Sequence, residues 1–212
     1  MTVIPSKSDI ERILCERHTP EVHNVIKKAR IGIAGLGGLG SNVAVMLVRA
    51  GVSELVIADM DTVDLSNINR QNYCLEHIGI PKTDAAEQML RMINPYVTIE
   101  KHNVRLGRSN IPGIFKGCDV VCEAFDTPSE KAMLINTILE ECPGTKAVSG
   151  SGMAGYGRSN EITTKRLFDG LYICGDGIDM ENVAGGLMAP RVNICAGHMA
   201  NAVLALLLKG KV

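Results

Sequence analysis

Tryptophan is absent from this chain, and phenylalanine and tyrosine bring the aromatic fraction to only 3%. The core of a 212-residue chain that is 46% hydrophobic must then be built from Val, Ile, Leu, Ala and Met, which suits a buried parallel sheet covered by helices. Excess charge of either sign is missing too, since 22 Lys and Arg face 23 Asp and Glu for a formal net charge of -1. Without a basic stripe interleaved with aromatics, the footprint of a nucleic-acid or membrane-surface binder is lacking, and no nucleic-acid partner is expected. No stretch approaches the roughly 18 apolar residues of a membrane span. The opening MTVIPSKSDIERIL lacks the basic start and apolar run of a signal peptide, so no membrane association and a cytoplasmic location are expected. Seven cysteines, an odd number, are scattered as Cys15, Cys74, Cys118, Cys122, Cys142, Cys174 and Cys195. That is not the framework of a small secreted domain and points to a reducing compartment.

What is present alternates between two periods. Over residues 8–30, Ile10, Ile13, Leu14, Val22, Val25 and Ile26 recur at helical spacing, broken at Thr19-Pro20, which reads as two short amphipathic helices. Residues 30–34 form an apolar strand that runs into Gly-Leu-Gly-Gly-Leu-Gly, a helix over 41–50 and a second strand over 54–59. This strand, turn, helix, strand unit has the length of about 30 residues that a parallel crossover requires. The spacing then predicts a helix over 81–93, strands over 97–102 and 118–124, a helix over 129–141 and a strand over 145–149. Glycine-dense residues 150–157 and short irregular strands over 158–173, read as antiparallel edge strands, precede a glycine-rich loop over 175–186 and a terminal helix over 192–208. The expected fold is α/β, a Rossmann-like, doubly wound, mostly parallel sheet with antiparallel edge strands and a C-terminal helix. No repeat or low-complexity linker interrupts it, so residues 30–212 read as one domain behind an N-terminal helical segment, 1–29.

Within the glycine turn, Gly35 permits the tight bend, Gly37 lets backbone approach a phosphate, and Gly40 allows close packing of helix on strand. Unpaired N–H groups and the helix dipole at the start of the following helix favour an anion. Asp59 closes the next strand about 20 residues later, where a ribose would lie. A glycine turn can serve packing alone; strand, helix and second-strand acid together point to a nucleotide.

The loop after Asp59 separates this pattern from that of a hydride-transfer enzyme. Asp59, Asp61 and Asp64 bring three carboxylates, Asn67 and Asn69 two amides, and Arg70 and Gln71 follow. A triphosphate attacked at its α-phosphorus needs cations around it. Arg70 and Lys82 are placed to supply them, and Asp126, just past an apolar strand, to hold Mg²⁺. Each has an ordinary alternative: a loop salt bridge for Arg70, a solvated helix lysine for Lys82, a helix cap before Thr127-Pro128 for Asp126. Their joint occurrence at successive strand ends favours the site.

At these residues the sequence resembles the ThiF/MoeB family, bacterial relatives of ubiquitin-activating enzymes, and most of all the short ThiF-type sulfur carrier adenylyltransferases. The residues that carry the resemblance are Gly-Leu-Gly-Gly-Leu-Gly-Ser at 35–41, Asp-Met-Asp-Thr-Val-Asp-Leu-Ser-Asn-Ile-Asn-Arg-Gln at 59–71, Pro-Lys at 81–82, Ile-Asn-Pro at 93–95, Asp126, and Met-Ala-Pro at 188–190. The resemblance implies an ATP-dependent nucleotidyltransferase in which Gly35, Gly37, Gly38, Leu39 and Gly40 cradle phosphate and Asp59 binds ribose. Asp61, Asn67, Arg70, Gln71 and Lys82 complete the ATP site, and Asp126 organises Mg²⁺. The implied partner is a small ubiquitin-like, ThiS-like sulfur carrier ending in Gly-Gly, whose terminal carboxylate attacks the α-phosphorus in thiamine biosynthesis. The family likeness also implies a homodimer, with Arg12 and Arg17 as counterparts of an arginine donated across it.

Departures from the family pattern carry their own expectations. Many members hold a structural zinc with two CxxC pairs, and this chain has none; Cys118 and Cys122 read as core residues, so no zinc is expected. Cys174 is the candidate for sulfur relay, set against a plain buried strand residue. Three competing readings are adenylation of a carboxylate on a modified tRNA, a non-catalytic scaffold for a ubiquitin-like partner, and an NAD-dependent oxidoreductase. Weak basic character disfavours the first, retention of Arg70, Lys82 and Asp126 the second, and the lack of room for a substrate domain the third.

Overall fold

The computed structural model of the chain describes residues 4–178, 184–210 and 212. Ser6 and Asp9 form a reciprocal capping box that starts α1 (Lys7–His18), and Thr19 separates it from α2 (Pro20–Ile26). The chain then alternates β1 (Arg30–Ala34), α3 (Gly38–Ala50), β2 (Glu54–Ala58), α4 (Lys82–Ile93), β3 (Thr98–His102), α5 (Ile111–Phe115), β4 (Val120–Glu123), α6 (Pro128–Glu141) and β5 (Lys146–Gly150). A hairpin of β6 (Thr163–Phe168) and β7 (Leu171–Gly175) follows, and α7 (Ala189–Lys209) completes the fold.

The seven strands form one sheet in the order β3-β2-β1-β4-β5-β7-β6. All neighbours are parallel except the edge pair β6 and β7. The antiparallel character expected over 158–173 is therefore confined to one pair, because β7 turns back at Asp169-Gly170 and continues the parallel sheet on β5. Chain order runs outward from β1 to β3 and then returns to β4 beside β1. The crevice of such a sheet lies where the order reverses, at the carboxyl ends of β1 and β4.

Alternation along the strands divides the core. Ile31, Ile33, Leu55, Ile57, Val120, Cys122 and Val148 join the cluster that includes residues of α3, α4 and α7. Ala34, Val56, Ala58 and Val121 join the second cluster, with Phe115 of α5 and Leu134 and Ile138 of α6. Phe115 lies so close to β1 that a Cβ on Gly32 would meet its ring at 2.7 Å. The five-residue α5 has no counterpart in the sequence reading, because Pro112 and Gly113 break the apolar period that would reveal it.

Two expectations change. The strand expected over 118–124 starts only at Val120, since the Cys118 N–H turns back onto the Phe115 carbonyl at 3.0 Å. Cys118 and Cys122 consequently pack into different clusters. The terminal helix, at 21 residues and containing an 18-residue window of mean hydropathy 1.4, is long and apolar enough by length and composition to cross a membrane, contrary to the sequence reading. Here its apolar face, including Val192, Cys195, Met199 and Val203, is buried in the first cluster, so it serves as a core helix. Of the glycine-rich loop over 175–186, residues 179–183 lie outside those described.

The tightest approach in the fold sits in the glycine turn. A Cβ on Gly40 would lie 1.8 Å from the Gly35 carbonyl oxygen, and Gly35 itself has φ +88°. Gly40→Ala is expected to lower stability by at least about 3 kcal/mol, read as a large drop in Tm or failure to fold. A variant melting within a degree or two of wild type would contradict this packing.

Candidate active site

Gly37 is the N-cap of α3, and no side chain caps that helix end. Its first-turn N–H groups are therefore left for an anion. A Cβ on Gly37 would meet only the Gln71 Nε2, at 3.9 Å, so protein packing does not require glycine there. Two side chains of the same turn tie down the loop that follows β2. Asn42 Nδ2 donates to the carbonyls of Gly38 (2.7 Å) and Arg70 (3.0 Å). Ser41 Oγ donates to the Gly37 carbonyl (2.6 Å) and accepts the Asn72 N–H (3.0 Å).

Asp59 stands at the end of β2. Its carboxylate accepts the Leu36 N–H at 2.6 Å and the Asp61 N–H at 2.8 Å, which locks the turn after β1 to the turn after β2. Burial pushes the Asp59 carboxyl above the usual carboxylate range, and the Lys82 ammonium is the strongest influence opposing the shift. Lys82 is 6% exposed. Its Nζ lies 2.7 Å from Asp61 Oδ2 and 4.0 Å from Asp59 Oδ1. The solvated helix lysine is thus not what the fold contains. Buried Tyr73 donates to the Leu36 carbonyl at 2.9 Å, and burial raises its hydroxyl too.

Two cavities meet at this edge of the sheet. One, of about 200 Å³, is lined by Gly35, Gly37, Asp59, Asp61, Gln71 and Lys82, with Leu106 and Arg105 on its far wall. The other, of about 630 Å³, is lined by Leu39, Met153, Ala154 and Val192 together with Gly150, Gly152, Gly185 and Gly186. Arg70 and Asp126 line both, and so stand at the junction. Arg70 donates only to the Ser66 carbonyl and Asn69 Oδ1, with no carboxylate at ion-pair distance among the described residues. Asp126 is exposed, and its side chain is contacted by the Thr127 hydroxyl at 3.2 Å. It is not the cap of α6, whose N-cap is Thr127.

The smaller cavity carries four carboxylates, Asp59, Asp61, Asp126 and Glu130, against three cations, Arg70, Lys82 and Arg105. Two of those cations are already engaged, Lys82 with Asp61 and Arg105 with Glu130 at 2.7 Å. By formal charge the lining carries one more carboxylate than cations.

Other sequence candidates fall elsewhere. Leu39 lines the larger cavity and Gly40 neither. Asn67 accepts the Asp64 N–H at 3.1 Å and caps its own turn. Gln71 is buried, with Oε1 unpartnered in the cavity wall. Cys174 is a core residue of β7: its thiol contacts Thr164 Oγ1 at 3.5 Å, burial pushes it up to about 11, and it lines neither cavity. Among the described residues neither cavity reaches its thiol. No group of three or more His, Cys, Asp or Glu positioned for a metal occurs among the described residues.

Four charged residues absent from the sequence reading shape the larger cavity. Arg191 of α7 is 1% exposed and pairs with Asp176. It also donates to the Gly157 carbonyl at 3.0 Å, drawing both glycine loops onto the helix. Glu123, buried at the end of β4, pairs with Lys131 of α6 at 2.8 Å. The signal for these two was a lone acid ending an apolar strand, and for Arg191 an arginine within an apolar helix.

The sequence profile of the ThiF family matches residues 11–211. The adenylyltransferase and sulfurtransferase UBA4 of Candida glabrata is 37% identical over 134 residues, covering 63% of this chain and 30% of that protein. The chain thus spans about a third of that relative, and 46% of the UBA4 of Yarrowia lipolytica. The molybdopterin-synthase adenylyltransferase of Salmonella typhimurium is 31% identical over 194 residues, covering 88% of this chain and 76% of that one. Among solved structures, the E. coli tRNA N6-threonylcarbamoyladenosine dehydratase TcdA in complex with ATP superposes with a TM-score of 0.86, at 19% identity, over 98% of both chains.

Two outcomes follow for nucleotide binding. Gly37→Ala should fold as wild type yet weaken ATP binding about tenfold or more by calorimetry, because the added methyl meets phosphate and not protein. Unchanged affinity would place the phosphates elsewhere. For pH, a raised carboxyl favours the fold below its unfolded pKa, and that contribution is lost as pH rises through the folded value. If Asp59 binds ribose hydroxyls, its ionised form accepts them more strongly than its protonated form. Lys82→Met removes the opposing charge, so the loss of ATP affinity on acidification should set in at higher pH than in wild type. A superimposable acid limb would separate Lys82 from Asp59.

Proposed function

Because the chain belongs to the ThiF family, we propose that it transfers the adenylyl group of ATP to the terminal glycine carboxylate of a small ubiquitin-like sulfur carrier. The observation that carries this reading is the position of Arg70 and Asp126, shared by the cavity that Gly37 and Asp59 line and the larger one beside it. The smaller cavity offers each part of ATP a partner: the uncapped start of α3 for phosphate, Asp59 for ribose hydroxyls, and the wall at Leu106 for the base. The larger one suits an extended Gly-Gly end, since a Cβ at Gly186 in its wall would meet open space and a second backbone can lie close there. On the sequence resemblance the carrier is of the ThiS type and the pathway thiamine biosynthesis.

In this reading a carboxylate oxygen attacks the α-phosphorus, the bond from that phosphorus to the β-bridging oxygen breaks, and pyrophosphate leaves with the electron pair. The nucleophile is already ionised near neutral pH, so no general base is needed. Arg70, with no carboxylate partner among the described residues, orients the attacking carboxylate and offsets charge on the phosphate. Lys82 is fixed by Asp61 at the phosphate side of the ribose acid. The excess of carboxylates fits a divalent cation, and Asp126, exposed and outside any ion pair among the described residues, is the group to hold it. Bound there, Mg²⁺ would neutralise charge developing on the triphosphate. A homodimer belongs to the same reading, supported by the outward apolar residues Ile13 and Val25 on α1 and α2, and is checked by sedimentation.

ATP–pyrophosphate exchange with Mg²⁺ is expected to depend on a carrier ending in Gly-Gly and to disappear when its last glycine is removed. Asp126→Ala should keep the wild-type Tm while lowering exchange about a hundredfold or more. Nucleotide binding with no exchange would favour the scaffold reading. Exchange supported by a carboxylate-bearing tRNA instead would replace the acceptor.

A further inference from the structure

The ion pair of buried Glu123 and partly buried Lys131, which lines the larger cavity, lies beside the junction of the two cavities, and its bonding converges on one residue. Glu123, 1% exposed, accepts the Phe125 N–H through Oε1 at 2.6 Å. Its Oε2 accepts the Ser149 hydroxyl at 2.5 Å and faces Lys131 Nζ at 2.8 Å. Lys131 Nζ in turn donates to the Phe125 carbonyl at 2.9 Å. Both backbone groups of Phe125 are thus held by opposite ends of one ion pair, which links β4, β5 and α6. The Phe125 carbonyl belongs to the peptide that leads into Asp126, and the Phe125 ring lies against the Gly35 turn, where a Cβ would meet it at 3.1 Å.

A buried pair of this kind is poor at stabilising a fold by itself, because desolvation offsets the attraction and apolar replacements are often neutral. Nor is Glu123 free to bind a cation, since a hydroxyl, an amide N–H and an ammonium already occupy its oxygens. We propose that Glu123 and Lys131 are positioning residues that hold the turn at residues 125–126, so that the Asp126 carboxylate meets the divalent cation of a bound nucleotide. The inference rests on the assignment of Asp126 made above, and its test is separable from adenylation.

The measurement is Mn²⁺ binding to the ATP-loaded protein, followed by electron paramagnetic resonance, beside ATP affinity without divalent cation and thermal unfolding. Lys131→Met should weaken Mn²⁺ binding about 10- to 100-fold, the usual effect of losing a group that orients a metal ligand. Metal-free ATP affinity should stay within about threefold, since the glycine turn and Asp59 are untouched, and Lys131→Arg should restore most of the Mn²⁺ affinity. Glu123→Gln, which keeps an acceptor for the Phe125 N–H, is expected to behave like Lys131→Met and carries the test if that variant does not fold. Unchanged Mn²⁺ affinity in a folded variant overturns the proposal. So does a parallel loss of Mn²⁺ binding, metal-free ATP binding and Tm, which is the signature of a pair that only stabilises. A wild-type ATP complex that binds no Mn²⁺ overturns it as well. Wild-type protein that binds Mn²⁺ and ATP and responds to Lys131→Met, yet never exchanges pyrophosphate, upholds the pair and removes the adenylation reading.

Discussion

The backbone of Gly40 passes so close to the carbonyl oxygen of Gly35 that no side chain fits between them. That approach lets α3 begin directly over the end of β1. It brings the uncapped helix start to the point where strand order reverses, and it places Ser41 and Asn42 where they reach the loop after β2. Arg70 is carried to the junction of the two cavities by the same bonds, through its own carbonyl. A single steric constraint in the turn therefore governs phosphate approach, loop position and the location of the free guanidinium.

Charge is distributed around that frame with a consistent division of tasks. Asp59 is buried and bonded to two backbone N–H groups, and keeping it ionised works against desolvation. Lys82 reduces the cost and holds Asp61 in the same gesture. Arg70 and Asp126, by contrast, have no countercharge at ion-pair distance among the described residues, and they are the two charged groups common to both cavities. Groups that shape the site are paired with each other, as with Glu123 and Lys131 and with Asp176 and Arg191. Groups left to meet a ligand are unpaired and accessible. This is the pattern of preorganised electrostatics, in which fixed charges await a charge that the ligand brings.

Much of this was legible before any coordinates. Strand, glycine turn, helix and second-strand acid have fixed mutual spacing, because a parallel crossover and a phosphate at a helix start leave little freedom. Thus β1, α3, β2 and the placement of Asp59 could be read directly, as could Arg70, Lys82 and Asp126 at successive strand ends. What escaped depends on tertiary pairing. That the Asn67 amide oxygen accepts the Asp64 N–H of its own turn is set by backbone angles that the sequence does not print. Lys131 and Arg191 look like ordinary helix residues until Glu123 and Asp176 are brought to them from distant segments. The parallel placement of β7 was hidden because short strands near an edge carry the same alternation in either direction.

The central claim is that the α-phosphorus of ATP lies at the meeting of the two cavities, within reach of Arg70 and of a cation on Asp126, with its open face toward the glycine-lined chamber. The measurement that tests this most directly is a crystal structure of the protein with Mg²⁺ and a non-hydrolysable ATP analogue. The account predicts ribose hydroxyls on Asp59, phosphates over Gly37, the cation on Asp126, and an unobstructed path from the α-phosphorus into the chamber lined by Gly150 and Gly186. A nucleotide whose α-phosphate is walled off from that chamber, or whose cation sits away from Asp126, would contradict it.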